Sequence, residues 1–123
     1  MRKLNFIVFD EYCVAGTTYT TAQQFNDKLG TFDKLTLFVI TDNVSATGTV
    51  TCQLFHSADG RNWVAKNASA EIAAQATSTS APKFYAGGDT SSTGSLGFVQ
   101  VQVSTATGNA HVRLWVTARD TVS

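Results

Sequence analysis

Ala110-His111-Val112-Arg113-Leu114-Trp115-Val116-Thr117-Ala118-Arg119 is the stretch that decides the architecture. Val112, Leu114, Val116 and Ala118 recur at every second position, and His111, Arg113, Trp115, Thr117 and Arg119 fill the places between them. A period of two sends successive side chains to opposite faces of a sheet, so this is a strand with Val112, Leu114 and Val116 toward a core. Just upstream, Val99, Val101 and Val103 alternate with Phe98, Gln100 and Gln102. The intervening Thr105-Ala106-Thr107-Gly108-Asn109 has the composition of a hairpin connection, which predicts that these two strands pair antiparallel.

The same period continues toward the N-terminus. Leu35, Leu37 and Val39 alternate with Thr36, Phe38 and Ile40, a strand apolar on both faces and therefore expected to be central or covered twice. Asp42-Asn43-Val44-Ser45-Ala46-Thr47-Gly48 turns the chain into a strand whose Val50, Cys52 and Leu54 share one face. That strand runs into Ser57-Ala58-Asp59-Gly60-Arg61-Asn62, where the Asp-Gly pair predicts a tight turn before Trp63-Val64-Ala65 returns. Helix is confined to one or two turns within residues 20–30, and residues 69–76 suit either a turn or a strand. Residues 77–97, rich in Ser, Thr and Gly and holding the single proline, Pro82, read as a long loop region interrupted by a short strand at Lys83-Phe84-Tyr85. Residues 1–123 are thus expected to form one all-β domain, an antiparallel β-sandwich of jelly-roll-like form.

Composition narrows the function. Charged residues make up only 15% of the 123, against roughly 25% in an ordinary soluble domain, and Thr, Ser, Gln and Asn carry the polarity instead. Nine Lys and Arg balance nine Asp and Glu, which leaves no net field to hold phosphates and argues against nucleic-acid binding. No run approaches the roughly 18 apolar residues of a membrane-spanning helix, so no membrane partner is expected. Met1-Arg2-Lys3 before Leu4-Asn5-Phe6-Ile7-Val8-Phe9 has the order of an export signal, but the run stops at Asp10-Glu11 and reads as a strand. Cys13 and Cys52 are expected as buried free thiols, with a single disulfide as the alternative.

Chemistry-bearing residues do not converge in the sequence. His56 shares a face with Cys52, yet a spacing of four in a strand separates the side chains by about 13 Å, too far for two ligands of one metal. Ser57 follows His56 directly and so points to the other face, and no Gly-x-Ser-x-Gly elbow is present. Asp10-Glu11 and Asp59 are placed as turn and edge residues rather than as a carboxylate pair. No catalytic, metal or cofactor-binding residue is therefore assigned. The candidates that remain are contact residues: Phe6, Ile7 and Phe9, from a first strand apolar on both faces, and Arg113, Trp115 and Arg119, from the polar side of the last strand.

The segment Thr49-Val50-Thr51-Cys52-Gln53-Leu54-Phe55-His56-Ser57-Ala58-Asp59-Gly60-Arg61-Asn62-Trp63, with the later His111-Val112-Arg113-Leu114-Trp115-Val116-Thr117, resembles small β-sandwich virion proteins of tailed phages, in particular capsid decoration or cement proteins. The resemblance covers about a quarter of the chain. It implies a structural, non-enzymatic protein on the capsid surface, bound to the major capsid protein or other virion subunits, and a homo-oligomer, expected as a trimer. Residues 1–10 would then serve as an arm or exchanged strand. The Ser-x-Asp-Gly-x-x-Trp hairpin is also similar to one in discoidin-type galactose-binding sandwiches, which makes a carbohydrate-binding module the alternative.

Overall fold

The computed structural model describes residues 3–29, 31–32, 34–88 and 97–119, so part of the expected loop at 77–97 lies outside the described residues. Strand β1 (Lys3–Cys13), β2 (Thr18–Thr20), helix α1 (Gln23–Leu29), β3 (Lys34–Asp42), β4 (Thr49–Ser57), β5 (Val64–Ala65), β6 (Ile72–Ala76), β7 (Lys83–Gly88), β8 (Phe98–Ala106) and β9 (Ala110–Arg119) follow in order. Two antiparallel sheets form, one ordered β1-β9-β3-β7 and the other β2-β8-β4-β5, with β6 paired beside β5 along β4. The pairing is nested: β1 with β9, β2 with β8, β3 with β7, and β4 with its own return strands β5 and β6. A long double strand rolled onto itself in this way is a jelly roll, the sandwich expected from the sequence.

The core lies between the sheets. Val112, Leu114, Val116 and Ala118 of β9 and Leu35, Leu37 and Val39 of β3 face Val50, Cys52 and Leu54 of β4 and Val99, Val101 and Val103 of β8, all buried. Leu29 and Phe32 are buried with them, and Phe25 of α1 stacks on Phe6 of β1, ring centroids 6.4 Å apart. Thr21 docks the segment before α1 onto β8: its N–H donates to the Val101 carbonyl and its hydroxyl accepts the Val101 N–H, each at 3.1 Å.

One expectation is corrected: β8 and β9 do not pair; they belong to different sheets, and residues 107–109 arch between them. The arch is folded against the β3–β4 connection, where the Asn109 N–H donates to Ser45 Oγ and the Ser45 N–H to the Asn109 carbonyl, both at 2.9 Å. A Cβ on Gly108 would collide with the Ala46 carbonyl oxygen, so only glycine permits this backbone approach. β3 is central in its sheet, one of the two placements expected for it, and its outer face is open, with Phe38 43% exposed. β1 pairs with β9 of the same chain from Lys3↔Arg119 to Cys13↔Ala110, with a bulge at Val8. The extra residue breaks the alternation and turns both Val8 and Phe9 inward, which anchors the strand to its own core.

Candidate functional site

Cross-strand register assembles the outer face of the β1-β9-β3-β7 sheet into rows, because residues opposite one another on paired strands share a face. The central row is Ile7, Trp115, Phe38 and Ala86, running across all four strands. On one side of it lies the row Asp10, Arg113, Ile40 and Phe84, and beyond that Tyr12, His111 and Asp42. On the other side lies Asn5, Thr117, Thr36 and Gly88, and beyond that Arg119 and Lys34. Phe84 is 67% exposed, Tyr12 47%, Phe38 43% and Ile7 39%, so this one face collects four large apolar side chains in contact with water. Exposed apolar residues scattered singly need no explanation, whereas a contiguous band rimmed by polar groups marks a contact surface.

The rim is ordered by its own hydrogen bonds. His111 stands between two carboxylates of the neighbouring strands, Nε2 2.5 Å from Asp10 Oδ1 and Nδ1 3.1 Å from Asp42 Oδ1. Arg113 Nη2 donates to Asp42 Oδ2 at 3.3 Å, and Thr117 Oγ1 donates to Asn5 Oδ1 at 2.6 Å. Both imidazole nitrogens are thereby occupied, which leaves neither for a metal or a reacting proton.

Of the residues singled out from sequence, the structure brings Ile7, Arg113, Trp115 and Arg119 together on this face. Phe6 and Phe9 are not on it. Phe9 is 6% exposed and packs edge-on against Tyr19, centroids 6.1 Å apart, while Phe6 is half-buried against Phe25. Phe38, Ile40, Phe84 and Tyr12 were missed. Their signal was present, since Phe38 and Ile40 make a strand apolar on its second face, but it is indistinguishable from burial by a second layer until the sheet is assembled.

The residue types of a hydrolytic triad do meet around the β4–β5 hairpin, yet the turn consumes them. Ser57 Oγ donates to Asp59 Oδ1 at 2.8 Å and accepts the N–H groups of Asp59 and Gly60. Asp59 in turn accepts the N–H groups of Arg61 and Asn62, both at 2.9 Å, and the Asn62 side-chain amide at 2.6 Å. These bonds, those from the Asn62 and Arg61 backbone foremost, hold the Asp59 carboxyl well below the usual carboxylate range. Gly60, at φ 77°, completes the turn, so the Ser-x-Asp-Gly signature is a folding device here. Neither Ser57 nor Asp59 is oriented on His56, whose Nδ1 finds no hydrogen-bond partner among the described residues.

Cys13 and Cys52 are buried free thiols, as expected. Burial foremost pushes both up to about 12; Glu11 adds to the effect at Cys13, and Cys13 and Glu71 add to it at Cys52. Thiols held protonated in this way are poor nucleophiles and poor metal ligands. Among the described residues no three His, Cys, Asp or Glu side chains are grouped to hold a metal ion, and no helix is long and apolar enough to cross a membrane.

No protein-family model matches the chain, and no curated protein matches it significantly. Among solved structures the fold is similar to chains of infectious bursal disease virus. For the Gx strain the TM-score is 0.55 at 10% identity, covering 97% of this chain and 33% of that one. For the Gt strain the values are 0.52 and 11%, covering 96% and 32%. A point mutant of the VP2 protein of the same virus, in T=1 particles, gives 0.50 and 7%, again covering 96% and 32%. The chain therefore spans about a third of the length of these viral capsid proteins, and what it shares with them is the sandwich fold.

Proposed function

We propose that this protein is a structural subunit of a virus particle, and that the outer face of the β1-β9-β3-β7 sheet is its assembly surface. The observation that carries the proposal is the apolar row Ile7-Trp115-Phe38, in which Ile7 and Phe38 are exposed and Trp115 is half-buried in the single chain, framed by a charged rim. Burying such a band against another subunit removes its apolar area from water, and the free energy gained adds to that of the particle. The jelly-roll winding, which is also that of viral capsid proteins, is consistent with the reading and does not prove it, because sandwiches host many functions. In finer detail, the proposed role is that of a decoration, cement or minor coat protein on the capsid surface of a tailed phage, held to the major capsid protein and to copies of itself. No catalysis is part of this reading, because the Ser57, Asp59 and His111 side chains are committed to structural hydrogen bonds.

The test is co-sedimentation of the purified protein with empty shells of its parent particle, followed by electron cryo-microscopy of the pellet. Density at symmetry-related sites on the shell is the expected result; protein left wholly in the supernatant would refute the proposal. The carbohydrate-binding alternative has one observation in its favour, a cleft of about 410 Å³ in which Trp63 and Phe98 sit beside Gln23, Asn26 and Arg61. A glycan screen showing binding that Trp63→Ala abolishes would transfer the assignment to that reading.

A further inference from the structure

The face just described is self-complementary about one axis. An axis lying along the row Ile7-Trp115-Phe38-Ala86, perpendicular to the strands and parallel to the sheet, turns a second copy over so that each strand lies antiparallel across its own counterpart. Every residue in the central row then meets its own copy, as an isologous two-fold contact requires. The rows on either side exchange. Phe84, the most exposed of the aromatic residues on the face, comes over Gly88 of the second copy. Gly88 offers a landing site, since even a Cβ built there would meet nothing within 4 Å among the described residues. The outermost rows exchange as well, which brings Lys34 over Asp42 and Arg119 over His111 of the second copy, whose imidazole lies between Asp10 and Asp42. Knob meets gap, and at Lys34 base meets acid.

The area agrees. Strands about 4.8 Å apart and five rows about 6.8 Å apart, the outer two narrower than the central three, cover roughly 550 Å² per copy, or about 1,100 Å² for the pair, just above the lower bound of a specific interface. The β1 edge is a poorer route to self-association, because the Val8 bulge interrupts the row of hydrogen-bonding groups that a second β1 would need.

We infer that the occupant of this face is a second copy of the chain, packed sheet against sheet in a two-fold dimer with Phe84 of each seated on Gly88 of the other. This deepens the reading of the face as an assembly surface and replaces the three-fold oligomer expected from sequence with a two-fold one. Sedimentation velocity from about 1 μM to about 1 mM tests it. The wild-type protein should shift with concentration from 13.1 kDa to twice that mass. Gly88→Leu, for which the described residues leave room at the Cβ, should raise the dissociation constant about tenfold or more, and Phe38→Asp should do the same, with circular dichroism of each variant unchanged. A monomer throughout, a trimer, or a dimer that Gly88→Leu leaves intact overturns the inference. Shell co-sedimentation of the same samples separates the two claims: a monomer that still binds shells sinks the dimer alone, and a dimer that ignores shells sinks the particle assignment alone.

Discussion

The two sheets present opposite characters to their surroundings. Outside the β2-β8-β4-β5 sheet, β4 shows Thr49, Thr51 and Gln53 and β8 shows Gln102 and Ser104, set side by side by the β4–β8 register, with half-buried Phe55 and Phe98 at one end of the face. Outside the β1-β9-β3-β7 sheet the corresponding positions are Ile7, Trp115, Phe38, Ile40 and Phe84. Both sheets are apolar within, so the difference does not concern folding. An antiparallel sheet folds with one face in water when that face is polar, and the first sheet meets this rule. The second departs from it, and on this departure the proposed assembly surface rests.

The largest effect that separates inner from outer side chains is expected in β9 and β3. Leu114→Ala, in the fully buried layer, should cost about 2–5 kcal/mol in chemical unfolding, whereas Phe38→Thr should change the stability of the monomer by no more than about 1 kcal/mol. Equal losses would mean that the outer aromatic row is part of the core after all, and the contrast between the sheets would collapse.

A smaller effect sharpens the comparison from inside. Each sheet carries one buried inner hydroxyl, Thr41 in β3 and Thr105 in β8, with no hydrogen-bond partner among the described residues. Thr→Val at either position keeps the shape and removes the unsatisfied group, and should raise stability by about 1 kcal/mol in thermal or urea unfolding. A loss at Thr41 but not at Thr105 would show that the two inner faces differ too.

The smallest effect is confined to acid. The Asp59 carboxyl is lowered in the folded hairpin, so its contribution is present above the unfolded carboxylate value, about pH 4, and is lost as pH falls through the folded one. Asp59→Asn should be less stable than the wild type at pH 7, and the difference should shrink steadily below about pH 4. Unfolding curves measured from neutral pH downward that run parallel would remove the turn's hydrogen bonds to Asp59 as the cause.

Much of this was legible in the order of residues. The alternation of Val112, Leu114 and Val116 named the buried side of β9 before any partner strand was known, and Asp59-Gly60 placed the one tight hairpin correctly. Part of the outer face was legible too: the alternation put Arg113, Trp115 and Arg119 on one side of β9, where the structure has them, while Phe6 and Phe9 of β1 lie off the face that carries Ile7. Phe9 was misplaced because the Val8 bulge shifts the phase of the strand, and a bulge leaves no mark in the alternation of an apolar run.

What the sequence determined by itself is therefore local: which side chains of a strand lie on one face, where the chain must turn, and how little helix it holds. Backbone geometry enforces these within a few residues, whatever the rest of the chain does. Only the tertiary structure decided which strands are neighbours. Residues 107–109 would serve as a hairpin as well as an arch, and the arch forms because it sets the valines of β8 opposite those of β9 across the core instead of beside them in one sheet. The row Ile7-Trp115-Phe38 is a product of the same choice. Its members lie on three strands far apart in the chain, and no local periodicity relates them; filling one closed core does.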